Sequence, residues 1–211
     1  MVIGFLSERS LARRGRESIG KPGRALDLTS ACARLMKGYT VADMDPRLYV
    51  LFSRRSVRKY TGEPVSESDL KALLEAGMAA PSASNRKPWH FVAVTERAQL
   101  DRLASIHPYG KMLASAGLCI GVCGDRDISP DFWVQDCSAA TENILVAAAM
   151  LGLGAVWLGV HPRSDREREL KQFFGIPENV GLLCLIAVGH PEERPSARTQ
   201  YDEPRVHSGR W

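Results

Sequence analysis

The stretch that most restricts the fold is residues 131–152, the longest helical pattern in the chain, which carries Ala139-Ala140 and Ala147-Ala148-Ala149 and is apolar on most faces. A helix without a polar side must be covered on more than one flank, so the pattern predicts burial between a sheet and a further body such as another subunit. Strand-like runs stand on either side of it. Leu118 to Cys123 is bounded by Gly117 and Gly124, Gly152-Leu153-Gly154 ends the helix, and Ala155 to Val160 and Leu182 to Val188 follow, the last closed by Gly189-His190-Pro191. A charged helix from Ser164 to about Phe174 separates the last two strands.

Upstream, Leu48, Leu51 and Phe52 recur at helical spacing, and Ser66 with Asp69 opens a helix carrying Leu70, Leu73, Leu74 and Met78 that must stop near Pro81. Trp89 to Val94 reads as a buried strand and Glu96 to Ile106 as an amphipathic helix. The alternation is α/β. The tail from Glu192 to Trp211, with Pro195 and Pro204, reads as an extended arm.

Charge divides the chain unevenly. Residues 1–40 carry eight Lys/Arg against three Asp/Glu, and residues 41–211 carry twenty against twenty-one. A near-neutral body speaks against a nucleic-acid-binding face, which needs clustered cations. Residues 1–43 are set apart as a basic N-terminal extension of unassigned role, and 44–211 as one domain. No run reaches the roughly 18–20 apolar residues of a membrane span. The five cysteines, Cys32, Cys119, Cys123, Cys137 and Cys184, contain no C-x-x-C pair, which leaves no indication of a metal site or disulfide framework and fits a reducing cytoplasm. Cys119, Cys123 and Cys184 lie in apolar runs and are expected in the core.

Two clusters carry chemistry. Arg54-Arg55-Ser56-Val57-Arg58 puts three guanidinium groups and a hydroxyl beside a helix end, and guanidinium forks match phosphate oxygens bidentately. Read alone, it is equally a solvated basic turn. Pro81-Ser82-Ala83-Ser84-Asn85-Arg86-Lys87-Pro88-Trp89 is a polar loop stiffened by proline at each end, able to present donors and acceptors to a flat heterocycle, and equally a plain connection. The five histidines are scattered, and His90, His107 and His161 are expected in structural roles; no acid–base triad is visible.

In order and spacing these clusters resemble the nitroreductase family of FMN-dependent oxidoreductases, from about Asp45 to the C-terminus. The likeness rests on R-R-S-x-R, on P-S-A-S-N-x-x-P-W, on Gln135-Asp136 and Glu142-Asn143 in the long helix, on L-G-L-G-A-V-W-L-G, and on the terminal V-H-x-x-x-W. It implies a three-layer α+β sandwich, with a central mixed, mostly antiparallel sheet flanked by helices and a domain-swapped C-terminal arm. It also implies non-covalent FMN at a homodimer interface, reduced by NADH or NADPH. Arg54 and Ser56, with Arg55 between them, correspond to the phosphate-holding residues. Arg58 corresponds to the cation near the N1–C2=O edge, where it would stabilise charge left by reduction. Pro81, Ser82, Ala83 and Asn85 match the loop that reaches the flavin from the other subunit. Trp157, Leu158 and Gly159 match the strand end against the ring, the Leu158 N–H being the expected donor to N5, while Lys111 is a flavin-edge candidate and Arg205 a phosphate contact from the arm.

Ser56 stands where the FMN-fragmenting branch of the family has Asp, and the short connection from Gly124 to Phe132 leaves little room for the lid of the iodotyrosine deiodinases. The activity expected is two-electron transfer from NAD(P)H to a nitroaromatic, quinone or similar small acceptor by a ping-pong mechanism. The alternative from another class is a flavin-storing or flavin-sensing module without efficient turnover.

Overall fold

The computed structural model describes residues 44–211. The basic extension 1–43 and Cys32 lie outside the described residues. Among the described residues five α-helices, α1 Tyr49–Ser53, α2 Glu67–Met78, α3 Arg97–Ile106, α4 Trp133–Met150 and α5 Ser164–Phe174, surround a four-stranded sheet. Its strands are β1 Trp89–Val94, β2 Leu118–Asp125, β3 Gly154–Gly159 and β4 Val180–Gly189, in the order β1-β2-β4-β3. All three pairings are antiparallel, and a parallel bridge between Ser56 and Ala155 on the outer edge of β3 makes the sheet mixed.

Strand alternation sorts the core into two layers. Leu118, Ile120 and Val122 of β2 and Ile186 and Val188 of β4 face α2 and α4. Cys119 and Cys123 of β2 and Leu185 and Ala187 of β4 face α3 and α5. Burial raises the Cys119, Cys123 and Cys137 thiols to about 12 and Cys184 higher still, so these cysteines behave as small hydrophobes.

Several expectations shift. Gly124 lies inside β2 opposite Gly181 of β4, because a Cβ at either position would meet the Trp133 indole at 2.7 Å or less, at Cε3 and Cη2 respectively only 2.7 and 2.6 Å away. The bare backbone there seats the first residue of α4. In α4 itself Cys137, Ala140, Thr141, Ile144 and Ala148 are fully buried, whereas Val134, Ala139, Val146 and Ala147 are partly buried and Met150 is 72% exposed. Leu48 and Leu51, at 46% and 52%, also stay outside the chain's own core. Among the described residues, the C-terminal end of the second flank that the composition of α4 calls for is thus left uncovered.

α2 begins as its sequence predicts: the Ser66 hydroxyl accepts from the Asp69 N–H at 3.0 Å and donates to the Asp69 carboxylate at 2.8 Å. α5 ends on Gly175, whose φ of 67° is the left-handed cap that glycine adopts freely.

Candidate active site

The arginine loop runs along the free edge of β3. Val57 and Tyr60 point inward and are buried, while Ser56, Arg58 and Lys59 point outward and are exposed. The loop is stitched to the sheet by the Val57 N–H to the Ala155 carbonyl at 3.0 Å, and to the segment after β4 by Thr61 N–H to His190 C=O and Glu192 N–H to Lys59 C=O, both 3.0 Å. The Tyr60 hydroxyl donates to the Val57 carbonyl at 2.6 Å from beneath, and burial holds its pKa well above the usual phenol value. A hydrophobic clamp therefore presents the cations outward.

Beside the loop lies a cavity of about 380 Å³, walled by Arg54 and Arg55, by Leu145 and Ala149 of α4, and by the chain from Glu193 to Ala197. Arg54 Nε lies 3.3 Å from the Glu142 carboxylate of α4, and Arg55 donates to the Ser196 carbonyl at 2.6 Å. The Arg58 N–H donates to the Glu193 carboxylate at 3.1 Å, leaving its side chain exposed.

Farther along the same edge, the phase of β3 decides which amides are free. The Ala155 carbonyl faces the loop, and the Val160 N–H faces β4, donating to the Leu183 carbonyl at 3.1 Å. Backbone groups alternate sides along a strand. The Leu158 N–H, opposite Leu185, therefore points into the sheet, and the N–H groups of Trp157 and Gly159 point to the open edge. The expected edge donor moves from Leu158 to Gly159, whose missing side chain leaves nothing within 4 Å of a Cβ position.

Gly159 is held by two side chains. Its carbonyl accepts from His107 Nε2 at 3.1 Å and from Arg166 Nη1 at 2.6 Å. His107 belongs to the turn that carries Lys111, which is exposed at the start of a 3-10 segment, Lys111–Ser115. Sequence reasoning gave His107 only a structural role and passed over Arg166, since no local pattern links either residue to β3.

The loop 81–88 is positioned by α4. Buried Asp136 accepts from the Ala83 N–H at 2.8 Å and from the Ser129 hydroxyl at 3.0 Å. Ser82 Oγ accepts from the Lys87 N–H at 2.9 Å, which leaves its own proton free to donate. Ser84, Asn85 and Lys87 have φ of 51°, 55° and 52°, left-handed conformations that non-glycine residues seldom hold. Non-glycine residues held in this region cluster at binding and catalytic sites.

One chain does not bring the two motifs together. Ser56 lies outside β3 at the level of Ala155 and Val188, whereas Trp89 begins β1, on the opposite edge, at the level of Gly124 and Gly181. Four inter-strand steps of about 4.8 Å and about seven residues at about 3.3 Å each put them roughly 30 Å apart, farther than a mononucleotide extends. Arg205 is also distant in its contacts, paired locally with Asp202 at 2.7 Å on a tail whose residues 201–211 are all exposed.

Comparison with known proteins gives this arrangement a family. A model described as the nitroreductase family matches residues 51–108 and 122–190. An Archaeoglobus fulgidus protein provisionally named NADH dehydrogenase/NAD(P)H nitroreductase is 41% identical over 174 residues, covering 80% of this chain and 100% of that one. A crystal structure from Parabacteroides distasonis under the same provisional name superposes with a TM-score of 0.77 at 39% identity, covering 80% of this chain and 100% of the other. A provisionally named nitroreductase from Desulfovibrio desulfuricans, solved in complex with FMN, superposes with a TM-score of 0.69 at 31% identity, covering 80% and 99%. The chain belongs to the nitroreductase family and has its fold. Among the described residues no helix is long and apolar enough to cross a membrane, and no group of three or more His, Cys, Asp or Glu is placed to hold a metal ion.

Proposed function

We propose that the protein is an FMN-dependent NAD(P)H oxidoreductase. In this reading it passes two electrons to a small organic acceptor, a nitroaromatic, quinone or similar compound, in a ping-pong sequence. It works as a homodimer with FMN at the interface, built by residues 44–211. The observation that carries the reading is the edge of β3, where the guanidinium loop meets Ala155 and a free amide stands at Gly159. Four residues of strand separate them, about 13 Å, a span that suits a phosphate at one end and a flat ring at the other.

When bound, FMN supplies the hydride chemistry. The chain supplies position and charge. Arg54, Arg55 and Ser56 bind the phosphate, Arg58 and Lys111 set positive charge toward the ring, and the Gly159 N–H meets its N5 edge beside Trp157. Pro81, Ser82, Ala83 and Asn85 reach the site from a second copy, and Arg205 arrives on the crossing arm. No side chain needs to act as general acid or base, since solvent can deliver the protons.

The roughly 30 Å between Ser56 and Trp89 within one chain supports two copies per site. So do the exposed Leu48, Tyr49 and Leu51 of the α1 region and Met150 and Leu151 at the end of α4, an apolar surface that dimerisation would cover. The test is to purify the protein, record its flavin absorbance and its mass in solution, and measure NADH and NADPH oxidation with menadione or nitrofurazone. Turnover well above that of equimolar free FMN, by a yellow dimer, is expected. Bound flavin with turnover no better than free FMN would leave a storage or sensing module, and protein that takes up no FMN would end the flavin reading.

A further inference from the structure

We infer that His107 and Arg166 are positioning residues, a two-donor clamp on the Gly159 carbonyl that fixes the attitude of the free Gly159 N–H toward the ring; this rests on the flavin reading above. Gly159 is the last residue of β3, and its backbone groups face the edge where, among the described residues, no strand pairs with it. The sheet holds its neighbours, Leu158 opposite Leu185 and Val160 through its N–H to the Leu183 carbonyl at 3.1 Å. Within the wide φ/ψ range of glycine, the attitude of its carbonyl relative to its N–H is left for groups beyond the sheet to fix.

Two separate elements do so. His107, at the C-terminal end of α3, and Arg166, on the first turns of α5, place Nε2 at 3.1 Å and Nη1 at 2.6 Å from that one carbonyl oxygen. The proton on the imidazole is fixed by its other side: the Tyr109 N–H donates to Nδ1 at 3.2 Å, so Nδ1 is the acceptor and Nε2–H the donor. The ring is 1% exposed, and burial lowers its pKa against the opposing effect of the Gly159 bond, which keeps this tautomer neutral. The turn after His107 packs tightly against it, since a Cβ at Gly110 would stand 2.8 Å from His107 Cβ. The same turn then delivers Lys111.

Arg166 is held in a way that stability alone does not favour. Its guanidinium carbon lies 5.5 Å from the Tyr109 ring centroid, and its Nε is buried without a hydrogen-bond partner. An orphaned buried donor is costly. That cost is tolerated where Nη1 grips the strand end at the proposed ring site.

The test compares wild type with Arg166→Met, which keeps the aliphatic packing but cannot donate, Arg166→Lys, which can, and His107→Gln and His107→Leu. FMN affinity is read by fluorescence titration and the exchange rate of the Gly159 amide in the FMN-bound protein by NMR. Arg166→Met and His107→Leu are expected to weaken FMN binding by about tenfold and to speed Gly159 exchange by a similar factor, the worth of one hydrogen bond. Arg166→Lys and His107→Gln should recover most of both. Should His107→Leu fail to fold, the two Arg166 variants decide. If wild type binds FMN and Arg166→Met matches it in affinity and in Gly159 exchange, the clamp is wrong and the flavin reading stands. If wild type binds no FMN, both fall.

Discussion

The Oδ1 of Asp136, buried on the first turn of α4, accepts a hydrogen bond from the Ala83 N–H at 2.8 Å and thereby ties the helix to a loop fifty residues earlier. Its other oxygen accepts from the Ser129 hydroxyl at 3.0 Å. Three left-handed residues in the loop store strain that this carboxylate helps to hold. Asp136→Ala orphans both donors and is expected to cost about 2–4 kcal/mol of unfolding free energy, with Asp136→Asn milder because one oxygen can still accept. Urea denaturation checks this, and an alanine variant with the wild-type midpoint would remove Asp136 from the account.

Glu142 and Arg54 form the opposite kind of pair. At 3.3 Å, with the Glu142 side chain 53% exposed, the contact is solvent-screened and worth less than about 1 kcal/mol. Its carboxylate competes for the guanidinium that the proposed phosphate needs. Glu142→Gln should therefore leave stability within about 1 kcal/mol and tighten FMN severalfold, while Arg54→Ala should lose at least about tenfold. A glutamine variant that binds FMN more weakly would mean that Glu142 orients Arg54 instead of competing for it.

What the sequence disclosed follows the range of each signal. α5 was legible from Ser164 to Phe174 because charge, periodicity and the glycine stop are all local, and β1 because Trp89 to Val94 is an unbroken β-prone run. The antiparallel pairing was not written in the α/β alternation, and came only with the family resemblance. The inclusion of Gly124 in β2 depends on Trp133 filling the space above it, and the turn of the Leu158 N–H away from the edge depends on a bridge to Ser56 a hundred residues earlier. The clamp of His107 and Arg166 joins three elements, so nothing at either position announces it.

Gly154 tests how closely the arginine loop must lie against β3. A Cβ at this position would stand 2.7 Å from Val57 Cγ1 and 2.9 Å from its Cβ. Val57 is the buried anchor of the loop, with little room to yield. Gly154→Ala is expected to lose about 1–3 kcal/mol by overpacking and to weaken FMN by displacing Arg54 and Ser56 together. A thermal melt and a flavin titration indistinguishable from wild type would show that the contact relaxes without moving the loop.

The arm separates stability from cofactor retention. Residues 201–211 are exposed throughout, Trp211 at 99%, and the last backbone bond to the body is Arg198 N–H to Phe52 C=O at 3.1 Å. Deletion after Arg198 should therefore barely change the unfolding of a single subunit. Under the proposed dimer it should speed FMN release and shift the protein toward monomer. Unchanged flavin retention, followed by fluorescence of the released cofactor, would refute the part given to Arg205.

His107 gives the fold a pH dependence of definite sign. Burial is the main cause of its lowered pKa, and the Arg166 charge adds to it against the Gly159 carbonyl, which favours the protonated ring. The unfolded chain, titrating near the ordinary 6.5, therefore binds a proton that the folded chain still refuses. Stability from this site is complete above that value and drains away as pH falls toward the lowered one. Protonation would also place an N–H on Nδ1 against the Tyr109 N–H, setting donor against donor. Unfolding free energy measured by urea should fall between pH 7 and pH 5 in wild type, and the slope should flatten in His107→Gln, whose side chain does not titrate. Equal slopes in the two proteins would place the titrating group elsewhere.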